Sequence, residues 1–326
     1  MNSQLHEIIA DRRIKSVNIG LCTFLYCITT IIWSCSKQPD LGELINLRIT
    51  DTMFNEICHD TKIDSFKIFI LDTKEDEIVF SKVFERAKSK FVSSKTSFEN
   101  NQEPGGLFKP FWAAVLIEKA GFEMNDKIEY KPEIKIYDHE IKDRFDLKVD
   151  SVSLFKSIVY SSNTGIIGFL KKGEGNAGVR EILDSLQPKE IQSGVSSAYA
   201  ALGYNIKFNT KQLMDFYGEV ANKKLTSEFS ENTLIEVDTI LANIVRVGSC
   251  KAIYNRKNPI HGKSATTPRF NNGLSYDSRF IGFENSNRRF VVYVIVSGRE
   301  LNYGSQSSAK IGTRVLKQLR FTDETQ

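Results

Sequence analysis

Beyond residue 62, two segments carry a serine three residues before a lysine, a spacing that suits nucleophilic acyl transfer. Residues 153–156 read S-L-F-K, and residues 307–310 read S-S-A-K. On a helix this spacing puts hydroxyl and amine one turn apart, so the lysine can help to remove the proton of an attacking serine. Gly106 precedes Lys109 by the same interval, but glycine offers no hydroxyl. The chain therefore offers two candidate nucleophiles and one lysine with glycine in place of serine.

These segments lie in a mainly helical centre that is flanked by strands. Residues 65–72 and 78–83 predict a hairpin, and the apolar run at residues 107–120 predicts a buried helix that ends at Gly121. Further helices are predicted near Ser153 and over residues 211–221, 232–247 and 307–319, and C-terminal strands over residues 278–284 and 289–297. We therefore expect an α+β fold, in which strands from both chain ends form one antiparallel sheet with helices packed over it.

The loop that opens into the first of these helices carries a recognisable motif. Residues 103–111 read E-P-G-G-L-F-K-P-F, which resembles the E-P-G-S-T-F-K-P motif of class B penicillin-binding proteins, in the serine β-lactamase superfamily. In that family the serine attacks an acyl carbonyl, and the lysine helps to remove its proton. The resemblance places Gly106 at the serine position and keeps Lys109.

A second family motif, S-x-N, resembles residues 161–163, which read S-S-N. In active relatives its hydroxyl and amide join the proton relay and hold the substrate. The resemblance gives these roles to Ser161 and Asn163.

The third family motif, K-T-G-T, resembles residues 263–266, which read K-S-A-T. In active relatives this motif binds the substrate carboxylate along an edge strand. The resemblance therefore implies that Lys263, Ser264 and Thr266 bind substrate. Ala265 stands where the family has glycine, and its methyl group is expected to obstruct the close approach of a substrate backbone.

The order of the motifs and several family-like stretches extend the resemblance over roughly residues 63–320. It implies a transpeptidase-like domain at residues 63–322, preceded by a targeting segment at residues 1–35 and a short linker at residues 36–62. The large N-terminal pedestal region that class B proteins carry is expected to be absent. The fold places residues 153 and 307 at helix starts, so we expect both serines to be N-caps.

Gly106 predicts a pseudoenzyme, because glycine cannot form the acyl-enzyme ester. Loss of a nucleophile costs on the order of a millionfold in turnover, while the remaining groups can still bind substrate. The resemblance favours an inactive module that binds peptidoglycan stem peptides, β-lactams without covalent attachment, or cell-wall synthesis proteins. Two alternatives remain open: an active transpeptidase, carboxypeptidase or β-lactam hydrolase that uses Ser153, and an envelope scaffold whose motif residues only pack.

The N-terminal segment predicts membrane targeting. Residues 17–33 are nearly free of charge and follow Arg12, Arg13 and Lys15, which keep the N-terminus cytoplasmic and place the rest of the chain outside the cytoplasm. Residues 32–35, I-W-S-C, resemble a lipobox and make Cys35 a candidate for lipidation. A cleaved lipoprotein and an uncleaved anchor both remain open.

Composition and charge exclude several other classes of protein. With 41% hydrophobic and 26% charged residues the chain is an ordinary folded protein, and its net charge of +4 is scattered, which argues against nucleic-acid binding. The four histidines show no metal-ligand spacing, so neither a metal nor another cofactor is expected. Whether Cys58 and Cys250 form a disulfide stays open.

Overall fold

A computed structural model describes residues 40–54, 63–88, 90–96, 103–136, 138–144, 146–186, 195–206, 208–224, 228–269, 275–298 and 307–320. The chain divides into residues 1–44, of which only the last five are described, and residues 45–326. The predicted membrane segment, Cys35 and Cys58 lie outside the described residues. Among the helices that are described, none is long and apolar enough to cross a membrane.

The described secondary structure has strands at both ends and helices in the centre. The strands are β1 (Ile63–Asp72), β2 (Glu77–Ala87), β3 (Lys90–Lys95), β4 (Lys127–Glu129), β5 (Glu133–Ile136), β6 (His139–Lys142), β7 (Ser151–Ser153), β8 (Ile260–Arg269), β9 (Ser275–Glu284) and β10 (Phe290–Gly298). The helices are α1 (Leu41–Arg48), α2 (Lys109–Ala120), α3 (Leu154–Val159), α4 (Asn163–Gly173), α5 (Ala177–Leu186), α6 (Val195–Ala201), α7 (Thr210–Asn222), α8 (Glu231–Arg246) and α9 (Ser308–Leu319).

Six of the described strands form the main sheet, in the order β3-β2-β1-β10-β9-β8, and every neighbouring pair is antiparallel. The N-terminal and C-terminal strands meet at the centre, where Ile70 of β1 lies opposite Val292 of β10. Seven consecutive residues of β10 are buried, because helices α7 and α9 also pack against the sheet. The predicted α+β fold is confirmed.

The loop and helix at the centre of the molecule also follow the sequence pattern. A short 3-10 helix, Gly105–Phe108, leads directly into α2, which is buried along most of its length. The helix ends at Gly121 in the left-handed conformation (φ +67°), as a glycine C-cap does. This junction carries the family's first motif into the interior, between the sheet and the other helices.

The segment that the sequence assigned to a linker contains ordered structure. Helix α1 lies within residues 36–62, and Ile45, Ile49 and Phe54 are fully buried. The Phe54 ring packs edge-on against Phe66 of β1 and Phe84 of β2, with both centroid distances at 4.9 Å. The helix is only eight residues long and its apolar residues do not all share one face, so the contacts with the sheet are what reveal the role of this stretch.

Replacing Phe54 by Ala should lower the free energy of unfolding by roughly 3–5 kcal/mol, because a large buried ring leaves a cavity. The matched control is Leu47→Ala on α1, where the side chain is 71% exposed and a change below about 0.5 kcal/mol is expected. Urea unfolding of the full chain in a mild detergent measures both variants. Equally small effects would mean that this segment does not belong to the folded core.

Candidate active site

Two glycines in close contact shape the turn that precedes α2. Gly105 (φ +56°) and Gly203 (φ +76°) both adopt the left-handed region, and Gly105 N donates to Gly203 O at 3.1 Å. A Cβ atom on Gly203 would lie 2.2 Å from Gly105 O, so only glycine fits there. The turn that carries Gly106 is thereby held against the loop after α6.

Polar contacts hold the same turn on its other sides. The buried Arg279 of β9 donates from Nη1 to Glu103 O, and Glu103 Oε1 accepts from Asn205 N at 3.0 Å. The Tyr217 hydroxyl of α7 donates to Leu107 O at 3.0 Å. The turn is therefore fixed by contacts from the sheet, from α7 and from the loop after α6.

Lys109, the first residue of α2, lies in a cage of oxygen atoms. Its side chain is almost fully buried, and its Nζ donates to Asn163 Oδ1 at 2.7 Å, to Ser161 O at 2.8 Å and to Ser162 O at 3.2 Å. A longer contact of 3.4 Å reaches Ser161 Oγ. Burying an ammonium group costs free energy unless such acceptors surround it, so these contacts fix the α3–α4 turn against α2.

Local structure holds Ser161 and Asn163 in place. Ser161 adopts a left-handed conformation (φ +58°), and the Ser162 hydroxyl caps α4 by accepting from Gly165 N at 2.8 Å. The Asp143 carboxylate accepts from Asn163 N at 2.5 Å and from Thr164 N at 3.0 Å. These contacts turn the Ser161 and Asn163 side chains toward the lysine.

Lys263 of β8 completes the cluster from the side of the sheet. Its side chain is also buried, and its Nζ donates to Ser161 Oγ at 3.1 Å and to Ser264 O at 2.6 Å. Strand β8 is the edge of the sheet that faces the 3-10 turn. The Ser161 hydroxyl therefore receives contacts from two lysines, one on a helix and one on a strand.

Gly106 faces this cluster. A Cβ atom built on it would lie 3.6 Å from Ala265 Cβ, 3.8 Å from Ser161 Oγ and 3.9 Å from Lys263 Nζ. These are ordinary van der Waals distances, so a small side chain fits at residue 106 and would point at the same hydroxyl and amine. Gly106, Ser161 and Asn163 are partly exposed, which leaves the cluster open to solvent on this side.

Burial shifts the charge state of both lysines. Loss of hydration lowers the pKa of Lys109 well below its ordinary value, and the nearby charge of Lys263 lowers it further, while Asp143 acts in the opposite direction. Burial also lowers the pKa of Lys263, to about 8, with an opposing contribution from Cys250. The cluster can therefore donate hydrogen bonds to an oxygen atom beside Gly106, and Lys109 gives up its proton more readily than an ordinary lysine.

The remaining residues of the third motif lie on β8 beside the cluster. The Ser264 hydroxyl accepts from Cys250 Sγ at 3.1 Å, and Cys250 carries a free, buried thiol. Thr266 is partly exposed and lies opposite Ser278 of β9. The structure thus brings Gly106, Lys109, Ser161, Asn163 and Lys263 together, and the substrate-binding roles of Ser264 and Thr266 stay predictions.

The two alternative serines are not part of this cluster. Ser153 is the N-cap of α3, where its Oγ accepts from Lys156 N at 3.2 Å, and this expected cap is confirmed. Ser307 lies at the N-cap position of α9 but makes no side-chain capping hydrogen bond, so that expectation was wrong in detail. Its backbone is in the right-handed helical region (φ −94°, ψ −67°) rather than the extended conformation that an N-cap usually takes.

Three residues at the site belong to no motif that sequence reasoning used. Asp143 anchors the α4 N-terminus, Arg279 holds the Glu103 carbonyl and Cys250 contacts Ser264. Asp143 carries no spacing signal, and the other two lie inside family-like stretches without a role of their own. In the described part of the chain, no group of three or more His, Cys, Asp or Glu side chains is arranged to hold a metal ion.

Comparison with known proteins identifies the family to which this fold and cluster belong. The model of the penicillin binding protein transpeptidase domain matches residues 68–317, which is most of the chain. The protein therefore belongs to the penicillin binding protein transpeptidase family, whose members bind peptidoglycan stem peptides or β-lactams. A comparison with curated proteins gave no match.

Solved structures of this family share the fold. The transpeptidase domain of penicillin-binding protein 3 from Burkholderia pseudomallei has a TM-score of 0.67 at 17% identity, over 85% of this chain and 92% of that one. The transpeptidase domain of the FtsI4 D,D-transpeptidase from Legionella pneumophila has a TM-score of 0.59 at 21% identity, over 86% and 96%. A peptidoglycan glycosyltransferase from Burkholderia ambifaria has a TM-score of 0.65 at 17% identity, over 84% and 96%.

The lowered pKa of Lys263 makes stability depend on pH. Between about pH 8 and the ordinary lysine value near 10.4, the unfolded chain holds more protons than the folded one, so the free energy of unfolding rises with pH. Lys263→Met should reduce this rise by roughly 2–3 kcal/mol. Urea unfolding of the full chain across that window measures it, with exposed Lys251→Met as the control. If the free energy of unfolding rises equally with pH in the native protein and in Lys263→Met, the burial of a charged amine at residue 263 is contradicted.

Proposed function

We propose that this protein binds peptidoglycan stem peptides in the cell envelope without acyl transfer. The observation that carries the proposal is Gly106, which faces a preserved cluster of Lys109, Ser161 and Lys263. The side chains to which the resemblance gives binding roles lie around a position that lacks a hydroxyl. Membership of the cell-wall transpeptidase family supports the choice of ligand.

The cluster supports binding because its donors are fixed before any ligand arrives. Lys109 and Lys263 are buried and held by hydrogen bonds, so little side-chain entropy is lost when an oxygen atom of a ligand replaces one of their acceptors. Ser161 and Asn163 are partly exposed beside them. A peptide carbonyl or carboxylate that enters beside Gly106 would meet these donors directly.

The proposed lack of acyl transfer follows from the chemistry of glycine. Without an oxygen atom at residue 106 no ester can form there, and loss of the nucleophile in serine hydrolases costs on the order of a millionfold in turnover. The Ser153 hydroxyl is occupied in capping α3. The hydroxyl that both lysines contact belongs to Ser161, so Ser161 is the residue to check for any remaining acylation.

The proposed location is the outer side of a membrane. The uncharged segment at residues 17–33, with Arg12, Arg13 and Lys15 before it, supports a membrane-targeted chain whose folded part is exported. Cys35, at the end of I-W-S-C, is the proposed lipidation site. This location would place the cluster beside peptidoglycan, where stem peptides are found.

Incubation with a fluorescent penicillin should leave the native protein unlabelled and acylate Gly106→Ser. The built Cβ at residue 106 lies at ordinary contact distances from Ser161, Lys263 and Ala265, so a serine fits and its hydroxyl would lie near Lys263 and the Ser161 hydroxyl. Gly106→Ala is the matched control, since it adds the same carbon without the oxygen. A denaturing gel and the intact mass of the full chain report the adduct.

Each outcome of the labelling decides a separate point. An adduct on the native protein would overturn the proposed inactivity, and peptide mapping would show whether Ser161 carries the acyl group. If neither the native protein nor Gly106→Ser is labelled while both remain folded, the cluster has lost more than its nucleophile. That result would favour a scaffold without a working cleft.

Noncovalent binding is tested by titrating the full chain with a stem peptide that ends in D-Ala-D-Ala. Lys263→Met should weaken binding by about tenfold or more, because it removes a charged donor from the cluster. Lys251→Met, at an exposed position, should leave the Kd unchanged. Isothermal titration calorimetry gives the Kd values, and no heat of binding with the native protein would refute the proposed ligand.

A further inference from the structure

The edge of the sheet that lies far from β8 brings two lysines together. β3 is the edge strand and pairs with β2, where Lys95 lies directly opposite Lys82. Directly opposite residues point to the same face of a sheet, with Cβ atoms about 4.5–5.5 Å apart, and like charges in this arrangement repel each other. Lys95 is exposed and Lys82 partly exposed, so the repulsion lowers stability only modestly, and a bound anion would offset it.

No acidic side chain fills that role among the neighbours on the same face. Lys82 lies opposite Ile68 of β1 on its other side, and its neighbours along β2 on this face are Phe80 and Phe84. The Lys82 ammonium group lies 5.3 Å from the centroid of the Phe80 ring. Within the described part of the chain, neither Lys82 nor Lys95 pairs with a carboxylate.

Both lysines line a cavity of about 260 Å³. Asn46 of α1 lines it as well, together with Ser81 and Thr96, whose side chains alternate to the other face of the sheet. Ser81 Oγ donates to Thr96 O at 2.8 Å, which holds the end of β3 against β2. Two lysines that line one cavity offer two positive charges to phosphate oxygens, since lysine binds phosphate as a point charge.

Protection of the sheet edge explains only part of this arrangement. Lysines on an edge strand prevent pairing with other chains, and this accounts for Lys90 and Lys95 on β3. It does not account for Lys82, because β2 is paired on both sides, with β1 and with β3. Lys82 lies on an inner strand, directly opposite a second lysine, and lines the same cavity, an arrangement that suits ligand binding.

We propose that Lys82 and Lys95 form a binding site for a phosphate group. The phosphate belongs either to the headgroup of an anionic lipid or to a free phosphate ester. The predicted membrane segment at residues 17–33 precedes α1 in the sequence, so an anionic lipid is one available source. This site is separate from the lysine cluster at Gly106 and does not depend on the proposed function.

Calorimetric titration of the full chain in neutral detergent micelles tests the proposal with three probes. Inorganic phosphate and glycerol phosphate represent free phosphates, and micelles that contain phosphatidylglycerol are compared with micelles that contain phosphatidylcholine. The native protein should bind at least one phosphate probe at concentrations up to about 10 mM, and Lys82→Gln/Lys95→Gln should weaken this binding by about tenfold or more. Preference for phosphatidylglycerol over free phosphate would identify the lipid as the source.

The double variant Lys251→Gln/Lys257→Gln removes the same charge from exposed positions elsewhere and should bind like the native protein. An equal loss of affinity in this control would overturn the proposal, because the binding would then reflect net charge alone. Absence of binding to every probe would overturn it as well.

Lys82→Glu gives an independent test, because it creates an opposite-charge pair with Lys95. Without phosphate this variant should have a higher Tm than the native protein. Phosphate should raise the Tm of the native protein and leave the Tm of the variant unchanged.

Discussion

The Ser161 hydroxyl receives contacts from Lys109 and Lys263, and this shared contact joins the helical centre to the sheet. Two ammonium groups are buried within reach of one hydroxyl, an arrangement that costs several kcal/mol per charge unless hydrogen bonds offset it. The oxygen atoms of Ser161, Ser162, Asn163 and Ser264 provide that compensation. These acceptors come from the α3–α4 turn and from β8, so the cluster forms only when helix α2, this turn and the edge strand are all in place.

The turn before α2 depends on a second constraint, which is steric. Gly105 and Gly203 approach so closely that a side chain on Gly203 would overlap the Gly105 carbonyl, and Arg279 holds the preceding carbonyl of Glu103. These contacts set the position of Gly106 without any contribution from a side chain of its own. A side chain at residue 106 is therefore not needed for the fold, because none of the contacts that hold the turn comes from one.

The contacts that fold the cluster of Lys109, Ser161 and Lys263 likewise do not involve a side chain at residue 106. Lys109 and Lys263 stabilise the junction of helices and sheet through hydrogen bonds to the protein itself. These lysines therefore have a structural role, and the proposed ligand binding would be a second one. Ligand binding, unlike packing, requires that a ligand can reach the cluster from solvent. Gly106, Ser161 and Asn163 are partly exposed beside the buried lysines.

Local patterns in the sequence determined the elements and the places of the motifs. The hairpin of β1 and β2, the glycine stop of α2 and the serine cap of α3 depend on residues close together in the chain, so spacing alone predicted them. Patterns of this kind are weak for α1, where half of the residues are apolar but they do not all share one face, and for β3, which has only two apolar residues. The sequence assigned α1 to a linker.

Only the tertiary structure decided which groups meet. Lys263 and Ser161 are 102 residues apart, and their contact depends on how β8 and the α3–α4 turn pack. The same holds for Asp143 beneath Asn163, for Phe54 between two strands and for Lys82 opposite Lys95. The sequence sets which side chains are available, whereas their distances follow from the packing of segments that share no local pattern.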